Sequence, residues 1–498
     1  MGVIARQSIK GTIVTYLGVA VGFLTTFFVI TRFLSAEDIG LARVLIDAAT
    51  LFIGLAQLGT SSSILRFYPY FKSDEREEHG FFFWTLVVPM LGFLLVAAIF
   101  LICYTPLSRW FGEKSPLFVN YYYLVLPLAF FMLYQAVFET NANVRMRIVV
   151  PRAVRELLTR VGLLVVYLLY AFGVLTTDGF VWSLVGVYAL AALCNAVYLF
   201  SLGGISLKPD FAFLRRNPSI VRKYVLYTAF LILSAVVSVL APTLSSFFIT
   251  AEMGLNYTGI FAIATYMAMM VSIPYRSLTA IASPQLSMAI KQDNREETGT
   301  LLAQVGGNLL LIGGLLLAVI WVNIDLIFAI LPNGSTYAVA RRTVLLLGVG
   351  QLCVATFQFV VTALSYSRYY PFSLLFSFVL TVLALVLNNL FIPRWGMDGA
   401  ALATLVSQVS YYVVALLTVR LTLRCRLFTR RHLLTVVLLV LLFAANELCL
   451  HLLPEMNIWL SSMLRSLLIV LAAGLAYLWK LSPEINDQIH ALLHRVRL

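Results

Sequence analysis

Fourteen apolar runs of about twenty residues or more, parted by short breaks carrying charge, Pro or Gly, leave this chain few ways to fold. Their approximate limits are 11–33, 40–65, 81–104, 117–138, 157–175, 179–202, 224–250, 255–284, 301–331, 342–366, 371–392, 398–420, 433–453 and 458–480. A helix rises about 1.5 Å per residue, so such a run crosses the roughly 30 Å of hydrocarbon in a bilayer. In lipid every backbone N–H and C=O needs a partner within the protein, and a helix supplies its own. The pattern predicts an all-α polytopic membrane protein with about 14 transmembrane helices. The second and eighth runs are the least apolar, and their ends are the least sharply marked.

A soluble fold fails on surface. Hydrophobic residues make up 61% of the chain and charged residues 11%, against roughly 25% charged in soluble domains, which leaves too little polar surface to face water. The run after Lys10 spans about 23 apolar residues. That is span length rather than the short core of a cleavable signal peptide. The five cysteines, Cys103, Cys194, Cys353, Cys425 and Cys449, are scattered and form no C-x-x-C, so neither a metal site nor a disulfide framework is expected.

Positive charge sets the orientation. Breaks assigned to the inside, counting the N-terminus as inside, hold 27 of the 35 Lys and Arg residues, with five each at 145–160, 208–223 and 420–431. Cytoplasmic loops collect such charge, and a miscounted span would scramble every later loop. Both termini are therefore placed in the cytoplasm. The same rule accounts for the net charge of +13: membrane lipids are the expected partners, and no nucleic acid is.

Internal similarity divides the chain. FFVIT at 27–31 resembles SFFIT at 246–250, and Gly40 matches Gly259 at the same shift; Asp178-Gly179 matches Asp398-Gly399 one residue further on. These anchors predict two six-helix lobes related by a parallel repeat, 1–202 and 224–423, joined by a basic cytoplasmic linker at 203–223. Two extra helices follow at 424–480. At 481–498, Ser482-Pro483-Glu484 opens a short helix whose Ile485, Ile489, Leu492, Leu493 and Val496 share one stripe, as in a helix lying on the cytoplasmic leaflet.

One stretch carries a family resemblance. NNLFIPRWGMDGAALATLVS at 388–407 turns through Pro393, Gly396 and Gly399, then places Ala400, Ala403, Thr404 and Ser407 on one narrow helical face. It resembles a hairpin of the polysaccharide flippases, which carry N-x-x-x-I-P-x-x-G-x-x-G-A-A-x-A-T-x-x-S. The run at 32–69, RFLSAEDIG through SSSILRFYP, is similar to the first hairpin of the wider multidrug/oligosaccharidyl-lipid/polysaccharide exporter superfamily. Together the resemblance covers most of 1–423. It implies a flippase that moves a polyprenyl-pyrophosphate-linked oligosaccharide (an O-antigen, capsule or exopolysaccharide repeat unit) across the cytoplasmic, or inner, membrane of a bacterium. Fourteen spans suit polysaccharide and lipid II flippases better than twelve-span drug exporters. The chain departs from lipid II flippases in lacking a mid-span arginine in span 1.

No enzyme constellation stands out: there is no G-x-x-x-x-G-K-[ST], no H-E-x-x-H, and the histidines lie at or beyond span ends. No catalytic residue, metal or cofactor is expected, and transport energy must come from an ion gradient, the membrane potential or the substrate gradient. A pyrophosphate head group needs cations and donors inside the bundle, and Arg offers both in a planar fork. The first candidates are Arg66 and Arg276, near the cytoplasmic ends of spans 2 and 8, which line the central cavity in this superfamily; the alternative is that they snorkel as topology anchors. Arg43 and Asp47, at i and i+4 in span 2, form either a structural pair or a coupling site in which Asp47 takes a proton or sodium. Gln57, Asn308, Gln351 and Gln358 are polar at depth, as sugar contacts or as interhelical glue. Glu139 is placed to pair with the basic 145–160 loop. The competing functions are an ion-coupled drug or small-solute exporter, a membrane glycan polymerase or ligase, and a scaffold for envelope assembly. The flippase reading leaves room for glycan-assembly proteins as partners.

Overall fold

The computed structural model describes residues 3–71, 78–203, 205–425, 427–452, 457–483 and 486, and every regular element among them is a helix. Contacts divide the chain into two compact units that part after Gly259. The first holds α1 (Val3–Leu24), α2 (Ala36–Ala56), α3 (Thr60–Phe71), α4 (Phe81–Ile102), α5 (Val125–Val144), α6 (Thr159–Ala171), α7 (Thr177–Ser201) and α8 (Pro218–Glu252). Next comes α9 (Leu255–Met269), then α10 (Ile273–Lys291), α11 (Arg295–Val322) and α12 (Arg341–Tyr366). The last are α13 (Tyr370–Thr422), α14 (Arg430–Leu452) and α15 (Ile458–Leu478). Among the described residues eleven helices, counting those continued across a kink, are long and apolar enough to cross a membrane. The chain is an all-α, multi-pass membrane protein.

Helix α2 is the axis of the first unit because its sequence is small where neighbours approach. Within Ala36–Phe71 the apolar stretch is 67% buried, against 17% for that of α4, whose Leu91, Leu94, Leu95 and Ile99 face outward. Lipid is as apolar as leucine, so that outward face costs nothing in a bilayer. Gly40 carries the closest approach. A Cβ there would stand 1.9 Å from the Leu255 carbonyl oxygen, and one on Gly259 would stand 1.9 Å from that of Ala36. The contact is reciprocal between residues matched at a shift of 219. Thr31 and Thr250, matched at the same shift, each donate a hydroxyl to the carbonyl four residues back, at 2.7 Å.

The second span is not one helix. Leu58 and Gly59 both have positive φ, 46° and 66°, and the chain restarts at α3. Gly59 adopts that conformation without the Cβ clash other residues meet. Gly92 of α4 passes so close that a Cβ on it would lie 2.1 Å from the Ala56 carbonyl oxygen. The expected turn at 388–407 is also sharper than its sequence suggests. Helix α13 runs through Pro393 and breaks at Gly396 alone (φ 57°, ψ −132°). Ala400, Ala403 and Ser407 are buried on the expected face. Asp398 accepts from the Thr343 hydroxyl at 2.6 Å, and Asp178 accepts from the Tyr121 hydroxyl. Each Asp-Gly pair thus ties the start of one helix to the start of another within its own unit. Tyr122 is buried, stacked on Phe100 at 4.1 Å.

Helices α14 and α15 pack on α11 through Leu311, Ala318, Leu438, Leu442, Ile469 and Ala472. The chain then turns back, and the Ser482 hydroxyl donates to Asn308 Oδ1 at 2.6 Å. The amphipathic stripe expected in the tail lies outside the described residues.

Candidate functional site

The candidates in span 2 spread along its length rather than converging. Arg43 Nε donates to Asp47 Oδ2 at 2.8 Å, and Asp47 is 6% exposed. Gln57 lies fourteen residues on, about 20 Å along a helix. It caps α2 and donates from Nε2 to Ser61 Oγ across the break, while Ser61 accepts from Thr140 of α5 at 3.2 Å. The break therefore carries a polar chain between helices, with the buried Thr60 hydroxyl lacking a partner among the described residues. Unwound backbone inside a membrane bundle survives only where protein or a cavity satisfies it.

Arg66 ends the span beside a cluster of rings. Its guanidinium carbon sits 4.2 Å from the centre of the Tyr227 ring and 5.9 Å from that of Phe67. Tyr224 and Tyr227 of α8 pack edge-on against Phe67, and Ser63 and Thr228 hydroxyls meet at 3.1 Å. A second guanidinium, Arg145, stands 5.5 Å from the Tyr68 ring. Arg66 itself is exposed. This end of the unit offers cations for an anion and flat apolar faces for whatever the anion carries. Glu139 meets Arg155 at 2.9 Å, as its position beside the basic loop suggests.

The candidates of the second unit also lie apart. Arg276 is exposed on α10. Gln351 and Gln358 lie two turns apart on α12, and Gln358 accepts from the Tyr412 hydroxyl at 2.8 Å, which makes it a link to α13. Asn308 is engaged by Ser482 and lines a cavity of about 470 Å³ with Arg295, Arg424, Arg431 and His432. By sequence these three arginines are only part of the cytoplasmic charge. Their cluster depends on which loops fold together, so no local signal gave it. Arg465 is, by sequence, among the Lys and Arg residues outside the 27 inner ones. It is 3% exposed in α15, donating to the Ser461 carbonyl at 3.3 Å. A mid-span arginine was the available signal.

A family model described as Polysaccharide biosynthesis protein matches residues 6–290, more than half of the 498 residues. The chain belongs to that family. Among solved structures, this family member is similar to the lipid II flippase MurJ in its inward closed conformation, at a TM-score of 0.67 and 12% identity, over 94% of this chain and 99% of that one. A multidrug resistance MATE family transporter of the MOP superfamily, inward-facing, aligns at 0.65 and 16% identity over 85% of this chain and 98% of its own. The Vibrio cholerae MATE transporter VcmN in the bent form aligns at 0.53 and 14% over the same shares. These likenesses are of fold. No curated protein matches the chain in sequence.

Proposed function

We propose that this protein is a flippase that carries a polyprenyl-pyrophosphate-linked oligosaccharide outward across a bacterial cytoplasmic membrane by alternating access, with both termini in the cytoplasm. The observation that carries the reading is the pairing of a polysaccharide biosynthesis family match with a fold like that of a lipid II flippase. Polysaccharide units are assembled on lipid and must leave the cytoplasm, and a bundle of this kind supplies a route. The lobes 1–202 and 224–423 would rock about a head-group site, with 203–223 as their linker and 424–480 as added helices. Arg66, beside Tyr227, and Arg276 are assigned to the pyrophosphate, and Gln57 and Thr140 at the break in span 2 to the sugar. Asn308, Gln351 and Gln358 are assigned to helix packing first.

The deciding experiment is a sidedness assay in proteoliposomes loaded with lipid-linked oligosaccharide, with and without an ion gradient. Protein-dependent appearance of the glycan on the far leaflet supports the reading; its absence under every gradient overturns it. The likeness to MATE transporters favours one second reading, an exporter of drugs or small solutes. Drug resistance on expression, with surface glycan unchanged, would select it.

A further inference from the structure

We infer that the cavity between α11, the 424–432 turn and the returning C-terminal segment is an anion site that takes a phosphate ester, separate from the head-group site proposed above. Four features meet there. Arg295, Arg424 and Arg431 line it against one carboxylate, Glu296. Arg295 also reaches Asp293, at 3.8 Å. Guanidinium is the side chain whose fork fits phosphate oxygens.

The second feature is a buried donor. His432 is 8% exposed and lines the cavity. The backbone N–H of Thr429 points at its Nδ1 at 3.3 Å, and the Thr429 hydroxyl lies 2.8 Å from the same atom. A nitrogen that receives an N–H must be the acceptor, so the neutral ring carries its proton on Nε2. That nitrogen lies beside Gly307, where a Cβ would be 3.4 Å away. Glycine at 307 leaves the ring its room against α11.

The third is a fixed rim. Arg424 holds a positive φ of 53°, and Cys425 Sγ donates to the Arg295 carbonyl at 3.4 Å, pinning the turn to the start of α11. The fourth is size, because about 470 Å³ is in the range of small-ligand pockets and ample for a phosphate group with part of what it esterifies. Two sources share this chemistry: the head group of an anionic phospholipid, and a soluble phosphate compound.

The test uses the full-length protein, delipidated in detergent, with binding read as a shift in thermal unfolding. One arm titrates phosphatidylglycerol in mixed micelles and the other inorganic pyrophosphate. Wild type is expected to respond to at least one probe. The R295Q/R424Q/R431Q variant should weaken that response by roughly tenfold or more, since three charge-assisted contacts are lost. R215Q/R216Q, which removes exposed charge elsewhere, should respond as wild type does. A response to the lipid alone names a membrane source and a response to pyrophosphate alone a soluble one; either sustains the site only where the triple variant weakens it, since Arg66 and Arg276 also offer cations to pyrophosphate. Should the triple variant fail to fold, Arg424→Gln in its exposed turn is the substitute and must weaken the response by itself. No response in wild type, or an equal response in the arginine variants, overturns the proposal. Neither result bears on flipping, which is read by glycan sidedness.

Discussion

Asp47 shows why a residue type alone does not settle a role. Its carboxylate is buried and answered by Arg43 at 2.8 Å. Arg43→Leu would leave that charge uncompensated, at a cost of about 3–5 kcal/mol, whereas R43L/D47L should recover most of the loss. Thermal unfolding of purified protein checks both. If stability returns in the double variant while glycan delivery does not, Asp47 has a part in coupling; if both return, the pair is only structural. Arg66 is the opposite case, exposed and stacked on Tyr227. Arg66→Ala should lower outward delivery with protein level unchanged, and Arg66→Lys should restore part of it, since Lys keeps the charge but not the fork. Arg276→Ala is expected to act likewise. Delivery that is unaffected in both alanine variants would remove the two arginines from the site.

The informative elements are the places where a helix is interrupted or two come into contact. At Gly40 and Gly259 there is no space for a methyl group, because the atoms it would meet are backbone carbonyls. Gly40→Ala or Gly259→Ala should force the helices apart and cost about 1–3 kcal/mol, seen as a lower unfolding temperature. A pair of unshifted melting curves would contradict the contact. The Asp-Gly turns belong with this class. Asp398→Ala removes the acceptor of the buried Thr343 hydroxyl, and a loss of about 1 kcal/mol is expected without a change in glycan selectivity. The stretch at 388–407 thus serves to pack helices, with Ala400, Ala403 and Ser407 buried.

For the whole molecule, α14 and α15 offer the clearest test. They cover α11 with an apolar cluster. Lipid can replace that cover at little cost, because lipid tails are as apolar as the side chains removed. Deletion of 433–498 should therefore leave a folded core while abolishing outward delivery, if these helices guide the lipid tail. A stable truncation with full activity would show that they do not.

The sequence by itself determined the all-α membrane class and the family. Those depend on local quantities: hydropathy summed over twenty residues, and the sequence of 6–290 that the family model matches. It also matched Gly40 with Gly259, and those two do meet. Tertiary structure alone decided where span 2 breaks, at Leu58 and Gly59, where Gly92 of α4 passes close to Ala56. It alone decided that Gln358 links helices, that Tyr122 is buried, and that Arg295, Arg424 and Arg431 share one cavity. Hydropathy records how far a residue avoids water. It is silent on which distant residue will stand beside it, and a site is made of such neighbours.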